Sequence, residues 1–234
     1  MLTVTIHQPS YLPYLGVIEK VLNSDIFVIY DTAIYSKGYY HNRNYIKFYD
    51  NKPMLTLSVE KDGWKKSFKD VILTNKKQLL KHWNLIEQCY KKTKYFDEYK
   101  NEFECIFKNY ESYKYLTDIT VPIIKLILKI FNYRGKILLA SQINYNTSLK
   151  STDALLDICK NIKADRYISG ESGMNYVKKQ EFEKNNIDII YQKFTCKVYE
   201  QYKSKNFEPY LASIDYVFNH NNNLSIFTNS FVKT

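Results

Sequence analysis

Several of the features that most readily betray a function are missing from this sequence. Its four cysteines, Cys89, Cys105, Cys159 and Cys196, lie far apart and show no paired metal-ligand spacing. That argues against a zinc ribbon or a disulfide scaffold and for ordinary buried thiols in a reducing compartment. The amino terminus shows no basic region leading into an apolar run and a small-residue cleavage site, so no secretory signal is expected. The most apolar stretch, VPIIKLILKIF from Val121 to Phe131, is too short to span a bilayer and carries two lysines. The expectation is a cytoplasmic protein. Internal repeats and long disordered tracts are also lacking. There is no Walker loop, no dinucleotide-binding glycine fingerprint and no Asp-x-Asp pair, which argues against the commonest nucleotide sites and against a metal-dependent sugar transferase. Arginine is scarce, with only Arg43, Arg134 and Arg166.

Lysine is plentiful. The chain has 34 basic and 24 acidic residues, a net charge of +10. The excess is local: residues 61–150 carry 18 basic against 9 acidic side chains, whereas residues 1–60 and 151–234 are close to balance. Such an excess is either a solvated face or a positive surface for a phosphate-bearing partner, such as a nucleotide-sugar, a tRNA or an anionic membrane surface.

At 234 residues the chain is long enough to bury a substantial core. Leu2 to Ile6 alternates like a strand, and apolar residues from Tyr14 recur at helical spacing. A strand is expected at Ile26 to Tyr30, with further strands near Ile46 to Phe48 and Met54 to Val59. Residues from about Lys76 to Asn132 read as helical, with a stripe at Phe96, Tyr99, Phe103, Ile106, Tyr110 and Tyr113 that suits core packing. Strand and helix then alternate, with strands at Ile137 to Ala140, Tyr167 to Ser169 and Ile187 to Tyr191, and helices at Ser151 to Ile162 and Asn175 to Asn185. This order predicts an α/β fold with a largely parallel, Rossmann-like sheet. One domain over residues 1–234 is expected, with a helical insertion or cap at about 76–132.

Four segments carry candidate chemistry. In HQPSYLPYLG, two prolines restrain a strand-to-helix turn with His7, Gln8 and Tyr11 at its apex, where ligands bind in open α/β sheets. His7 there either contacts phosphate or does acid/base work, or merely holds backbone groups. In IYDTAIYSKGYYHNRNYIK, Asp31 ends a strand and either binds Mg²⁺, orients an amine or caps a turn. Lys37, Asn42, Arg43 and Asn44 follow as an anion and sugar-hydroxyl loop, or as a solvated hairpin. In DRYISGESGMNYV, Gly170 and Gly173 allow a tight turn at a helix start, and Gly170, Ser172 and Tyr176 become candidate binding residues. The run VYEQYKSKNFEPYLASIDYVFN adds Gln201. In it, Ser213 is expected to cap a helix and Asp215 to occupy its first turn.

Taken together these segments resemble the WbqC-like protein family. The matching residues are HQPSYLPYLG with Lys20 and Asp25, IYD with YSKG and NRN, YISG with the following Gly173 and Tyr176, and the Tyr199 to Asn219 run. They stand in the family's order over nearly the whole chain. Tyr40, where tryptophan is expected, and Ser58, where proline is common, depart from the pattern. The resemblance implies a role in O-antigen or other surface-polysaccharide biosynthesis, with glycine transfer as the implied activity. The expected reaction joins glycine to the amine of a nucleotide-linked amino sugar. ATP and Mg²⁺ would serve as co-substrate, unless an aminoacyl-tRNA delivers the acyl group. On this view His7, Asp31, Lys37 and Arg43 are catalytic, and Gln8, Tyr11, Asn42, Asn44, Gly170, Ser172, Tyr176 and Gln201 bind substrate. No metal ligands and no membrane span are expected. The competing readings are another nucleotide-sugar transferase of the same pathway, or a non-enzymatic module binding tRNA or polysaccharide.

Overall fold

The computed structural model describes residues 1–233. In chain order the strands are β1 (Thr3–His7), β2 (Ile26–Ile29), β3 (Arg43–Tyr45), β4 (Met54–Thr56), β5 (Lys136–Leu139), β6 (Arg166–Ser169), β7 (Asp188–Gln192) and β8 (Phe231–Val232). The helices are α1 (Leu15–Leu22), α2 (Gln78–Tyr90), α3 (Phe96–Lys108), α4 (Leu116–Ile130), α5 (Ser151–Asn161), α6 (Lys179–Lys184) and α7 (Ser213–His220).

Six strands form one sheet in the order β5-β2-β1-β6-β7-β8, parallel except for β8. The expected α/β class with a mostly parallel sheet is therefore observed. Strands β3 and β4 make a separate antiparallel ribbon. The strand β8 has only two residues and no apolar run, so periodicity does not mark it.

Alternation along the strands explains the layers. On β2, Phe27 and Ile29 join the core shared with α1, α2, α3, α4 and α7, while Val28 joins the core beneath α5 and α6. The helical middle thus packs on one sheet face. Its central contact stacks Trp83 of α2 between Phe96 and Phe107 of α3, with centroids 6.1 and 5.8 Å apart. In the predicted α3 stripe, Phe96 and Phe103 are buried; Phe107 is buried too, whereas Ile106 only packs against the core's edge. Each such ring removes enough apolar surface to stabilise the fold by about 2 kcal/mol, an upper figure because unfolded chains are partly collapsed.

The helix expected at Asn175 to Asn185 shortens to α6, preceded by a 3₁₀ turn at Glu171–Asn175. Ser213, expected as a cap, is instead the first residue of α7, and its N–H donates to the carbonyl of Pro13. Asp215 does occupy the first turn, but it also accepts hydrogen bonds from Tyr90, Tyr199 and Gln201 and ties α7 to α2.

The topology leaves one opening. From β1 the chain runs through α1 to β2; from β6 it runs through α6 to β7, in the opposite direction across the sheet. The β1–β6 ladder stops at Thr5–Ile168, while the flanking ladders continue to His7–Ile29 and Ser169–Tyr191. A crevice opens where the strand order reverses, beyond the carboxyl ends of the strands.

Candidate functional site

The opening turn HQPSYLP brings His7 and Gln8 to this crevice, and its neighbours hold it rigid. Tyr11 donates its N–H to His41, the Asn44 amide donates to Leu12, and Ser213 donates to Pro13. These bonds hold Leu12 at φ 52°, a left-handed conformation that costs a non-glycine residue about 1 kcal/mol or more.

Lys20 fills the gap between β1 and β6. Side chains on a helix lean back toward its N-terminus, so a lysine in the last turn of α1 reaches the end of β1. Its Nζ stands 3.4 Å from the carbonyl of Ile6 and 3.2 Å from His7 Nδ1. A Cβ on Gly170, just beyond β6, would lie 4.0 Å from it. The residue is 4% exposed and has no carboxylate partner among the described residues. Burial lowers its pKa to about 8. Burial, then the charge of Lys20, then His41 hold His7 well below the ordinary histidine range. Neutral His7 therefore accepts from the lysine through Nδ1, which leaves the ring proton on Nε2.

Around this pair lies a cavity of about 870 Å³, the size of a small-molecule site. The loops after β1, β2, β5 and β6 all reach it. Thr32 Oγ1 and Tyr145 Oη, 2.6 Å apart, tie the loop after β2 to the loop after β5. The lining mixes hydroxyls and rings, including Tyr30, Tyr176 and Tyr210. Among the described residues no group of three or more His, Cys, Asp and Glu side chains could hold a metal ion.

Of the residues marked in the sequence, His7, Gln8, Gly170, Ser172 and Tyr176 line the cavity. The others stand elsewhere. Asp31 is buried and accepts from the N–H of Ser141 at 2.9 Å and from its hydroxyl, which joins the ends of β2 and β5. Tyr11 is buried, with its hydroxyl 2.8 Å from His82 Nδ1. Asn42 donates to Leu57, and Asn44 braces the opening turn. Gln201 donates to Glu208 and Asp215. Lys37 is exposed beside Gly38, whose φ of 98° marks the expected turn. Arg43 opens β3 opposite Thr56, and its buried Nε has no partner. The glycines after β6 do not serve as left-handed turn residues; at Gly173 a Cβ would lie 1.9 Å from Ser169 Oγ, so any side chain there would displace Ser169.

Lys20, Thr32, Tyr145 and Gln192, to which the sequence assigns no task, also line the cavity. Nothing on α1 marks Lys20: Leu15, Val17, Ile18, Val21 and Leu22 gather on one side of the helix, and Gly16, Glu19 and Lys20 share the other, the pattern of an ordinary surface helix.

The sequence profile of the WbqC-like protein family matches residues 8–225. The "Uncharacterized protein Rv1507c" of Mycobacterium tuberculosis is 26% identical over 223 residues, covering 94% of each chain.

Proposed function

The chain belongs to the WbqC-like protein family, and from that premise we propose that the cavity is the active site of an enzyme joining glycine to the amine of a nucleotide-linked amino sugar in surface-polysaccharide biosynthesis. The observation that carries the reading is the buried ammonium of Lys20, without a counter-ion, at the reversal of strand order. A cation kept out of water without a carboxylate suits a site that receives an anion, a phosphate or an activated carboxyl group. Hydroxyls and rings around it suit a sugar or a base.

A free carboxylate is a poor electrophile, so it must first be activated. With ATP and Mg²⁺, a glycine carboxylate oxygen attacks the α-phosphorus and pyrophosphate leaves. The sugar amine, having lost its proton to water, attacks the acyl carbon; the C–N bond forms, the nitrogen gives a second proton to water, the C–O bond breaks and AMP departs. In this scheme Lys20 holds the phosphate that bears the leaving charge. His7, neutral and accepting from Lys20, aims the ammonium and offers its Nε2 hydrogen. Gln8, Ser172 and Tyr176 supply the remaining polar contacts. A preloaded donor such as aminoacyl-tRNA would enter at the second step and need no ATP.

The test is a mass-spectrometric assay of the purified protein with dTDP- and UDP-linked amino sugars, glycine, ATP and Mg²⁺. A product heavier by one glycyl residue, with AMP released, is expected, and Lys20→Met should abolish it. Bound nucleotide-sugar without product would shift the assignment to another transfer reaction. The absence of both would overturn the enzymatic reading in favour of a binding module.

A further inference from the structure

A second corner of the cavity is built for the opposite charge. Gln192 ends β7 and lines the cavity. Its Nε2 donates to the carbonyl of Gly16 at 2.9 Å and to Glu19 Oε2 at 2.6 Å. Both partners are acceptors, so the amide has one orientation, and both of its hydrogens are used. Its Oε1 has no protein partner among the described residues and is not enclosed, which leaves an acceptor, and no donor, for whatever occupies the cavity. Glu19 cannot turn to release it. Its carboxylate is fully buried, with Oε1 accepting from the N–H groups of Thr228 and Asn229 at 2.7 and 2.8 Å.

Three rings of the cavity lining meet close by. Tyr14, which precedes α1, stands 5.6 Å from Phe194 and 6.3 Å from Tyr210, and Phe194 stands 6.2 Å from Tyr210, all edge to face. Glu171 also lines the cavity. Burial, followed by Tyr210, Glu171 and Glu19, pushes the Tyr14 phenol up to about 12, so it stays neutral. A neutral hydroxyl would satisfy Gln192 alone. The electron-rich rings and the carboxylate act in addition only on a positive charge.

The geometry points to this corner as a subsite for a primary ammonium group, held by Gln192 Oε1 and by the rings of Tyr14, Phe194 and Tyr210. The group belongs to an amino sugar or an amino acid. With Lys20 receiving an anion, the cavity selects a ligand that carries both signs. The identification of this ammonium with the acceptor amine rests on the transferase reading; the subsite itself does not.

The test compares glucosamine 1-phosphate, N-acetylglucosamine 1-phosphate and glucose 1-phosphate by isothermal titration calorimetry at pH 6.5, where both the probe amine and Lys20 are protonated. The wild-type protein should bind the amine about tenfold more tightly than the other two, the gain expected of a partly desolvated cation over aromatic rings beside a fixed acceptor. Gln192→Leu should bind all three alike. Because that change also removes two bonds from the helix start, Tyr210→Asn serves as a second variant. Tyr210 is half exposed at φ 58°, a conformation asparagine tolerates, so the ring is lost without added strain. It should cut the preference for the amine several-fold. Equal binding of the three probes to the wild type, or no binding at all, would overturn the subsite. An amine preference that depends on Gln192 and Tyr210, in a protein that makes no glycyl product, would uphold the subsite and overturn the transferase reading.

Discussion

Lys20 Nζ lies 3.2 Å from His7 Nδ1, and no carboxylate among the described residues stands within ion-pair distance of it. A buried lysine paired only with a neutral ring and a carbonyl weakens the free protein. The folded pKa of about 8 lies below the unfolded value of 10.5. Below pH 8 both states carry the proton and the folded state bears the whole cost, roughly 3 kcal/mol at 1.36 kcal/mol per pKa unit. Between pH 8 and 10.5 the unfolded state binds more protons, so stability rises with pH. Lys20→Met removes this cost and forfeits two hydrogen bonds worth about 1 kcal/mol each. The variant should be about 1 kcal/mol more stable at pH 7, and the gap should close and reverse toward pH 10. Urea titrations at both pH values check this, and a less stable variant at pH 7 would refute it.

Anion binding should follow the same proton. Sulfate keeps one charge state across this range and needs the charged lysine, so its affinity should be flat below pH 8 and fall up to tenfold per unit above it. No inflection is expected between pH 6 and 7, because His7 is held neutral there. Titration calorimetry across pH 6–9.5 with sulfate measures both. An inflection near pH 6.5 would mean that His7, and not Lys20, carries the charge.

Far from the cavity, Gly135 occupies the turn before β5. A Cβ there would lie 2.5 Å from the backbone oxygen of Asp25, and that oxygen accepts from the N–H of Lys136. Backbone cannot yield as a side-chain tip can. Gly135→Ala should destabilise by about 2–3 kcal/mol, within the usual range for overpacking. Thermal unfolding gives the answer, and an unchanged midpoint would mean that this turn relaxes freely.

Gly173 offers a different outcome because its neighbour is a side chain. A Cβ would meet Ser169 Oγ at 1.9 Å, and Ser169 lines the cavity. Gly173→Ala should therefore weaken nucleotide-sugar binding by displacing Ser169. The second change Ser169→Ala should restore part of the stability lost, since it removes the clashing atom. Additive losses in the double variant would count against this coupling.

Much of the sheet was legible because strand periodicity and turn chemistry are local. Alternation at residues 2–6, the apolar run at residues 26–30, the prolines of HQPSYLP and the glycine of SKG each act through their own backbone. The order of strands and helices was enough to predict a parallel sheet, and a parallel sheet has a ligand crevice at its carboxyl end. His7, Gln8, Gly170, Ser172 and Tyr176 reach the cavity for that reason: His7 ends β1, Gln8 and Gly170 directly follow β1 and β6, and Ser172 and Tyr176 stand in the segment beyond β6.

What only the tertiary structure decided is which polar side chains have partners. Asp31, Asn44 and Gln201 look in sequence like ligand-binding residues, yet their side chains are taken by protein partners: Ser141 for Asp31, Leu12 and Tyr45 for Asn44, and Glu208 and Asp215 for Gln201. Lys20 looks like a helix-surface lysine, yet the end of the β1–β6 ladder leaves it a buried gap to fill. Gln192 becomes a one-sided acceptor only because Gly16 and Glu19, some 175 residues earlier, take both of its hydrogens. Periodicity reports which face of an element is apolar. Whether a polar group on that element is satisfied depends on contacts between distant segments, and those contacts separate a structural hydrogen bond from one left for a ligand.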